Sequence, residues 1–517
     1  MPETKSKVGI EWIGVSAPKT YVESTELGKA IDMDSEKIRK GLGNEKIRLP
    51  SFSQGNITMN ANLLYKFIKS IDSSDEERMK FFSNLPSRIY YATESNSDHS
   101  RPEVETALGM VYSKLLVDDE KRYRAYVEAF KHTIPMQQTF ACAGGGAALL
   151  DALNSVYVRN GTSAIVITSD TAVYDPKKAK NAEATQGSAA TLSWVTAEPK
   201  LIVIDPTMHN GAYNIPLQDF TKYGSPTPKV YGAFSEKVYV DVSANVLGQM
   251  EKDLSTSGVG MDFFVGHVPF PKQAIYFASA LFEHHMKHVR PKEFEAMQSR
   301  ESLGKDPLAS SNLVELFDNV LSSARPKNYY ELIRCIDENK EISEYWDWLK
   351  KLRKQPEFDE FVASLRINEA LLLPSQIGNS YTSSQLVALV SLLINKNTDK
   401  EIRGVMQYYG SGAVGLGMLA DIIATKAEIS GNVLVDVGDE VALNAGQYRE
   451  LHTALIRGDA ERMLRKDGET LDLIEKDRKF LGRLPTGFLV RSRLDDGTPD
   501  AVYSEADGRL IRLDPRM

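Results

Sequence analysis

Apolar positions along this chain fall into short solid runs, separated by longer stretches in which they recur every three or four residues. The runs VGIEWIGVSA (from Val8), RIYYATES (from Arg88), SAIVITSD (from Ser163) and KLIVID (from Lys200) predict strands. MDFFVGH (from Met261) and IRGVMQYYG (from Ile402) predict two more. Helical spacing follows several of them, in GGAALLDALNSVYV from Gly145, KQAIYFASALFEHHM from Lys272 and SQLVALVSLLINK from Ser384. Strand-then-helix alternation sustained over this length predicts a layered α/β fold with buried sheets. The strand–turn–helix unit carrying Cys142 has a later counterpart carrying His267, which points to two related halves, 1–200 and 201–517. Between about 284 and 371 the pattern changes to charged helices interrupted by Pro291, Pro307, Pro326 and Pro356. That stretch predicts amphipathic surface helices inserted on the core. From Gly487 onward, alternation flanks Asp495, Asp496 and Gly497, the signature of an antiparallel hairpin.

Composition narrows the class. Of 517 residues, 42% are hydrophobic and 26% charged, the balance of a globular protein. Lys plus Arg number 62 against 70 Asp plus Glu, a net charge of −8. Nucleic-acid binding needs a basic face, so it is not expected here. The two cysteines, Cys142 and Cys335, give no disulfide framework and fit a reducing compartment. The N-terminal residues lack the apolar stretch of a secretory signal. The longest apolar runs fall short of the roughly 20 residues that span a bilayer. The expectation is a cytoplasmic protein with no membrane association.

Three side chains stand at predicted strand ends. Cys142 in QQTFACAGGGAALLDAL ends a strand-like approach and opens an apolar helix through three glycines. A thiol at a helix N-terminus feels the positive end of the dipole, so a lowered pKa and a thiolate are expected there. Free amides at that turn could bind a thioester oxyanion. The competing reading is a small buried hydrophobe, which is how Cys335 is taken. Glu94 in YYATESNSDHS sits where open α/β sheets place ligands, and partial burial would raise its pKa toward neutrality. Taken alone, such a glutamate is more often a solvated loop acid. His267 in DFFVGHVPFPKQA repeats the geometry and can donate to a carbonyl or carry a proton; a core histidine satisfied by backbone is the alternative. His284, His285 and His288 read as surface residues, and no set of carboxylates or thiolates completes a metal site around them. QYYGSGAVGLG at 407–417 resembles a phosphate-cradling loop, or else packs a strand tightly on a helix. GNSYTSS at 378–384 is either a helix cap or the wall of a polar pocket. A cysteine, an acid and a histidine together suit carbon–carbon condensation on a thioester. A base must remove a proton from an acyl methyl group, and an acid must meet the alkoxide that forms.

Eight segments in order, ATES at Glu94, the Cys142 loop, SDTAVY, NAEATQG, LQDF, GHVPFPK, GNSYTSS and YYGSG, resemble the 3-hydroxy-3-methylglutaryl-CoA synthase family of the thiolase superfamily. The resemblance implies a thiolase-like αβαβα fold of two related halves, a homodimer, and no cofactor beyond the substrates acetyl-CoA and acetoacetyl-CoA. It implies an acetyl-Cys142 intermediate, Glu94 as the acid–base, and His267 holding acetoacetyl-CoA. By motif position Asp170, Asp219, Phe220, Asn379, Tyr381 and Ser411 would line or surround the acyl pocket. Asp34, Ser35, Asn181, Thr185, Ser235 and Lys272 would contact ligand or CoA. The product would enter the mevalonate pathway. The chain departs from the family at Ala143, where a Tyr usually follows the nucleophile, and at Tyr276, where a second basic residue is frequent. Loss of the ring at 143 is expected to widen the acetyl pocket. ACAGG also resembles a starter-type ketoacyl synthase locally, and a polyketide branching synthase would use the same three side chains on a carrier-bound acceptor. A thiolase-fold scaffold without activity is the contrasting reading.

Overall fold

The computed structural model describes residues 7–98, 100–159, 161–179, 182–207, 211–222, 224–225, 227–256, 260–300, 302–308, 313–323, 328–457, 472–493, 499–506 and 509–513. Nine strands run through one sheet: β1 (Val8–Ser16), β2 (Pro86–Ala92), β3 (Ile134–Gln138), β4 (Ser163–Ala172), β5 (Gly187–Ala197), β6 (Ile202–Val203), β7 (Phe263–Val265), β8 (Ile402–Gly410) and β9 (Val414–Ile422). Their order is β7-β8-β9-β6-β1-β5-β4-β2-β3, with Val433–Asp436 added beside β1 and Gly211–Asn214 beside β9. The two-residue β6 joins the halves by pairing with both β1 and β9. Every strand expected from the apolar runs is present.

Alternating residues of these strands face different cores, and this alternation builds the layers. On β4, Ala164 and Val166 join a central cluster, whereas Ile165 and Ile167 face the opposite side. On β8, Met406 and Tyr408 face the same central cluster, whereas Val405 and Tyr409 face away. Four helices matter for the site: α1 (Asn56–Ile71), α2 (Gly144–Val158), α3 (Gly232–Thr256) and α4 (Pro271–Val289). A fifth, α5 (Ser384–Asn395), lies with α2 between the two half-sheets. Its apolar residues occupy all sides, as a helix between two sheets requires. Leu386, Val387, Leu389, Val390, Leu392 and Leu393 are all buried, and each contributes about 1.5–3 kcal/mol by leaving water. Helix α1 covers the outer face of the first half-sheet, and α3 with α4 covers that of the second. The result is the expected αβαβα stack.

The charged stretch folds as helices Pro291–Gln298, Leu313–Ser323, Tyr329–Asp337, Lys340–Leu352 and Pro356–Ser364. These do more than decorate the surface. Phe294, Phe317, Ile336, Tyr345, Trp348 and Phe358 share one core with Val238 and Val242 of α3 and Phe277 and Phe282 of α4. The C-terminal segment pairs as three antiparallel strands, Gly487–Arg493, Pro499–Ala506 and Arg509–Leu513; its turn residues Asp495, Asp496 and Gly497 lie outside the described residues. Among the described residues, no helix is long and apolar enough to cross a membrane.

Candidate active site

Strand register brings the three candidate side chains to one end of the sheet. Ala92 of β2 pairs with Thr168 of β4 and Gln138 of β3. Two residues beyond, Glu94 and Asp170 emerge side by side, and the turn leading to Cys142 starts from the third strand. In the second half Val265 of β7 pairs with Met406 of β8, so His267 and Tyr408 occupy the equivalent end. Cys142 sits at the mouth of α2, after Ala141 in a left-handed conformation (φ 41°). Two of the three glycines that open α2, Gly145 and Gly146, are there because nothing larger fits. A Cβ on Gly145 would lie 2.3 Å from the Thr382 carbonyl, and one on Gly146 2.5 Å from the Tyr408 ring.

Cys142 Sγ donates to Glu94 Oε1 across 3.8 Å. Both residues are buried. Burial pushes the Glu94 carboxyl up to about 7; the nearby Lys222 ammonium opposes this and the Asp170 carboxylate adds to it. Burial, reinforced by the Glu94 and Asp170 charges, raises the Cys142 thiol well above its ordinary value. This corrects the expectation of a thiolate at rest. The site holds a protonated thiol against an acid that titrates near neutrality. His267 is also buried, and desolvation lowers its pKa to about 3, so the ring is neutral. Its Nδ1 lies 2.5 Å from Ser384 Oγ, and Tyr239 donates to its backbone carbonyl at 2.9 Å.

Of the remaining candidates, most converge here. Asp170 is fully buried, and protein donors occupy both its oxygens. Oδ1 accepts from Glu94 N at 2.9 Å, Thr93 Oγ1 at 2.9 Å, and Ser95 N and Oγ at 3.0 and 2.6 Å. Oδ2 accepts from Thr382 N at 3.1 Å and Oγ1 at 2.5 Å. Asp170 therefore ties the Glu94 loop to the 378–384 loop, rather than facing a ligand as expected. Asp219 is likewise enclosed. Its Oδ2 accepts from Ser235, Tyr409 and Ser411, and burial raises its pKa. Ser235 and Ser411 are thus anchored through one acid. Asn379 accepts from Tyr381 N at 2.9 Å and donates to Tyr174 Oη at 3.3 Å. Phe220 stands edge-on to Tyr381 at 5.7 Å. These two rings, with Ala172 and Tyr174, form the apolar wall beside Cys142. The Thr185 carbonyl accepts from Asn379 N at 2.8 Å, while its hydroxyl donates to Ala182 O.

Asp34, Ser35 and Lys272 lie apart from this pocket. Asp34 and Ser35 precede the short π-helical turn Lys37–Leu42, and the Gly43 that ends it packs on Pro271 at the start of α4, next to Lys272. Asn181 lies outside the described residues. The glycine-rich segment at 407–417 is no phosphate cradle; its Gly415 and Gly417 pack a strand tightly on α3, against Val242, Val246 and Met250. It is the β8–β9 hairpin, with Gly410 paired to Val414. A Cβ on Gly410 would come within 2.6 Å of Ala143 N and 2.7 Å of its Cβ. Ala143 is fully buried, so the space beside it is occupied by the β8 backbone. The serines of GNSYTSS do not cap α5: Ser383, at the N-cap, makes no side-chain capping bond. They form the pocket wall instead, with Thr382 on Asp170, Ser383 on the Ala189 carbonyl and Ser384 on His267.

Tyr174, Tyr409, Ser384 and Lys222 belong to the site but are not singled out by the sequence. The first three lie inside or beside the segments quoted above. Tyr409 connects the halves, stacking near His267 at 6.1 Å and donating to Asp219. Lys222 has no distinguishing signal, being one lysine in a polar loop.

Comparison with known proteins finds one family and a shared fold. The hydroxymethylglutaryl-coenzyme A synthase N-terminal family matches residues 4–199. A hydroxymethylglutaryl-CoA synthase of Haloferax volcanii is 28% identical over 419 residues, covering 79% of this chain and 82% of the relative. Two solved structures share the fold. MvaS in complex with 3-hydroxy-3-methylglutaryl coenzyme A superposes with a TM-score of 0.61 at 18% identity, covering 99% of this chain and all of the other. The curacin biosynthetic pathway HMG synthase in complex with acetyl donor-ACP gives 0.64 at 16%, covering 95% and 98%.

Proposed function

We propose that this chain, whose residues 4–199 match the hydroxymethylglutaryl-coenzyme A synthase N-terminal family, is an acyltransferase of that family that condenses acetyl-CoA with acetoacetyl-CoA and water to 3-hydroxy-3-methylglutaryl-CoA and CoA, as a step of the mevalonate pathway. The contact between Cys142 Sγ and Glu94 Oε1 carries this reading. A buried acid that titrates near 7 can take a proton and return it within one turnover at neutral pH. A hydrolase nucleophile has no need of it.

In the proposed sequence, Sγ attacks the acetyl carbonyl while its proton passes to Glu94. The CoA sulfur leaves and is protonated, so a thioester on Cys142 replaces the one on CoA. Glu94, again a carboxylate, removes a methyl proton. The resulting enolate carbon bonds to the ketone carbon of acetoacetyl-CoA, and Glu94 gives that proton to the new alkoxide. Water then cleaves the Cys142 thioester. His267 polarises the ketone as a neutral donor: when its Nδ1 accepts from Ser384 Oγ, the ring proton lies on Nε2. Phe220, Tyr381 and Tyr174 exclude water from the enolate. Asn379 and Ser411 complete the acyl pocket, and Asp170 and Asp219 hold its walls. Asp34, Ser35, Asn181, Thr185, Ser235 and Lys272 are proposed to face CoA.

We also propose a homodimer built on the free edge of β3, which ends the sheet order. Ile134 and Met136 are 50% and 42% exposed on that edge, and Phe140 beyond it is 40% exposed. An apolar edge strand left open is a pairing site.

The test mixes purified protein with both substrates and follows acetoacetyl-CoA loss and product mass, with Cys142→Ala as control. Cys142-dependent product supports the reading. Acetylation of Cys142 with turnover only on a carrier-bound β-keto acceptor would favour the branching-synthase alternative. Absence of acetylation would refute both.

A further inference from the structure

Three carboxylates act on the Cys142 thiol: Glu94 beside it, Asp170 beneath the Glu94 loop and Asp219 under the opposite wall. The phenols of Tyr174 and Tyr381 close the same space. Among the described residues, one cation acts on this group. Lys222 lies between the paired short strands Phe220–Thr221 and Lys229–Val230, directly after the first. Its Nζ donates to the Glu94 backbone carbonyl at 2.9 Å. The same ammonium lies 4.7 Å from the centre of the Tyr381 ring and 6.0 Å from that of Phe220, so both rings that wall the acyl pocket hold it by cation–π attraction. Lys222 thus touches the loop that aims Glu94 and the wall that covers Cys142.

We infer that Lys222 is a positioning residue that fixes the Glu94 loop against the acyl-pocket wall and supplies the positive charge against which the Glu94–Cys142 pair exchanges its proton. The inference rests on the function proposed above and deepens it. Without the ammonium, only the Cys142 hydrogen bond opposes burial and the Asp170 and Asp219 charges, and the carboxyl stays protonated at neutral pH. A protonated Glu94 cannot accept from the thiol or from the acetyl methyl group. The Lys222 charge favours the ionised form of Glu94 and the thiolate of Cys142 alike, so its loss shifts both titrations upward.

Two substitutions separate charge from tether. Lys222→Gln keeps a donor for the Glu94 carbonyl and removes the charge; Lys222→Arg keeps the charge. The first readout is independent of the reaction: the rate at which iodoacetamide alkylates Cys142, followed by mass spectrometry of its peptide from pH 6 to 10. Lys222→Gln is expected to move the curve to higher pH, with Lys222→Arg overlying the wild type. The second is kcat against pH, where the acid limb set by Glu94 is expected to move up by about one unit in Lys222→Gln, an approximately tenfold loss at pH 6 that is recovered at pH 9. Curves for Lys222→Gln that overlie the wild type, or equal displacement of both variants, would overturn the inference. If the wild type forms no product, the proposed reaction fails, and the alkylation curves still decide whether Lys222 sets the charge at Cys142.

Discussion

Glu94→Gln should stabilise the protein, by an amount that grows as pH rises from about 4.5 to about 7 and is full above neutral pH. A glutamate carboxyl in water titrates at about 4.5, and burial raises that of Glu94 to about 7 in the fold. That difference of about 2.5 units, at 1.36 kcal/mol per unit, is about 3 kcal/mol. The sign follows from proton counting. Between pH 4.5 and 7 the folded state binds a proton that the unfolded state has released, so stability falls as pH rises through this window. Above pH 7 both states are ionised, and the fold carries the full cost of a charge held out of water. Below 4.5 both are protonated and the cost vanishes. The amide of Gln never ionises, so the variant escapes a cost of about 3 kcal/mol at pH 8 and less than about 1 kcal/mol at pH 5. With an unfolding entropy of about 2.1 cal/mol/K per residue, a chain of 517 residues converts 3 kcal/mol into a Tm rise of roughly 3 °C. Paired thermal melts of wild type and variant at pH 5, 6.5 and 8 measure it. A Tm gap independent of pH, or a variant that melts lower at pH 8, would refute the account of Glu94 as a carboxylate ionised at the expense of the fold.

The same titration appears in the rate: kcat should fall about tenfold per unit below pH 7, because only ionised Glu94 accepts a proton; a flat profile from pH 5.5 to 8 counts against it. Asp170→Asn leaves one acceptor oxygen where Thr93, Ser95, Glu94 N and Thr382 all donate, so about 2–4 kcal/mol should be lost in denaturant titration, together with Cys142 acetylation. Gly146→Ala puts a methyl 2.5 Å from the Tyr408 ring, and displacement of the α2 mouth should cut the acetylation rate at least tenfold with the fold retained by circular dichroism. Met136→Lys on the β3 edge should give a monomer in sedimentation velocity where the wild type sediments as a dimer.

Much of this is legible in the sequence, for identifiable reasons. The strands are solid apolar runs because they are buried on both faces, as in SAIVITSDTA, where nine of ten residues are buried. The glycines after Cys142 mark a helix mouth because an added Cβ there meets Thr382 and Tyr408. Other features depend on partners far along the chain, which local patterns do not record. QYYGSGAVGLG misleads because glycines that let strands approach helices resemble glycines that cradle phosphate. Its hairpin role depends on pairing β8 with β9, and on Gly415 and Gly417 meeting Val242, Val246 and Met250 of α3. Asp170 looks like a ligand contact because its motif is polar. Only the fold shows that Thr382, 212 residues away, occupies its second oxygen. The charged helices of the insertion hide a core shared with α3 and α4, since spacing alone does not say what an amphipathic face meets.

The expectation that fails most instructively is the Cys142 thiolate. A helix N-terminus stabilises a nearby anion by about 0.3–1 kcal/mol, and by up to about 2 kcal/mol when partly buried. At Glu94 the balance of burial against the Lys222 charge is about 3 kcal/mol against the anion. Cys142 lies in the same enclosure with a carboxylate for a neighbour, so the dipole is outweighed. The geometry therefore favours transferring a proton over storing charge. In the proposed reaction a resting thiol bonded to Glu94 Oε1 is ionised only as a substrate carbonyl arrives to take the electron pair. The base that receives its proton is the one the next step requires. A low-pKa cysteine would react sooner with any electrophile, but it would leave a second negative charge beside Glu94 and raise its pKa further. With both groups buried in one pocket, a single shared proton is the arrangement of lower energy, and Lys222 is the charge on which its position depends.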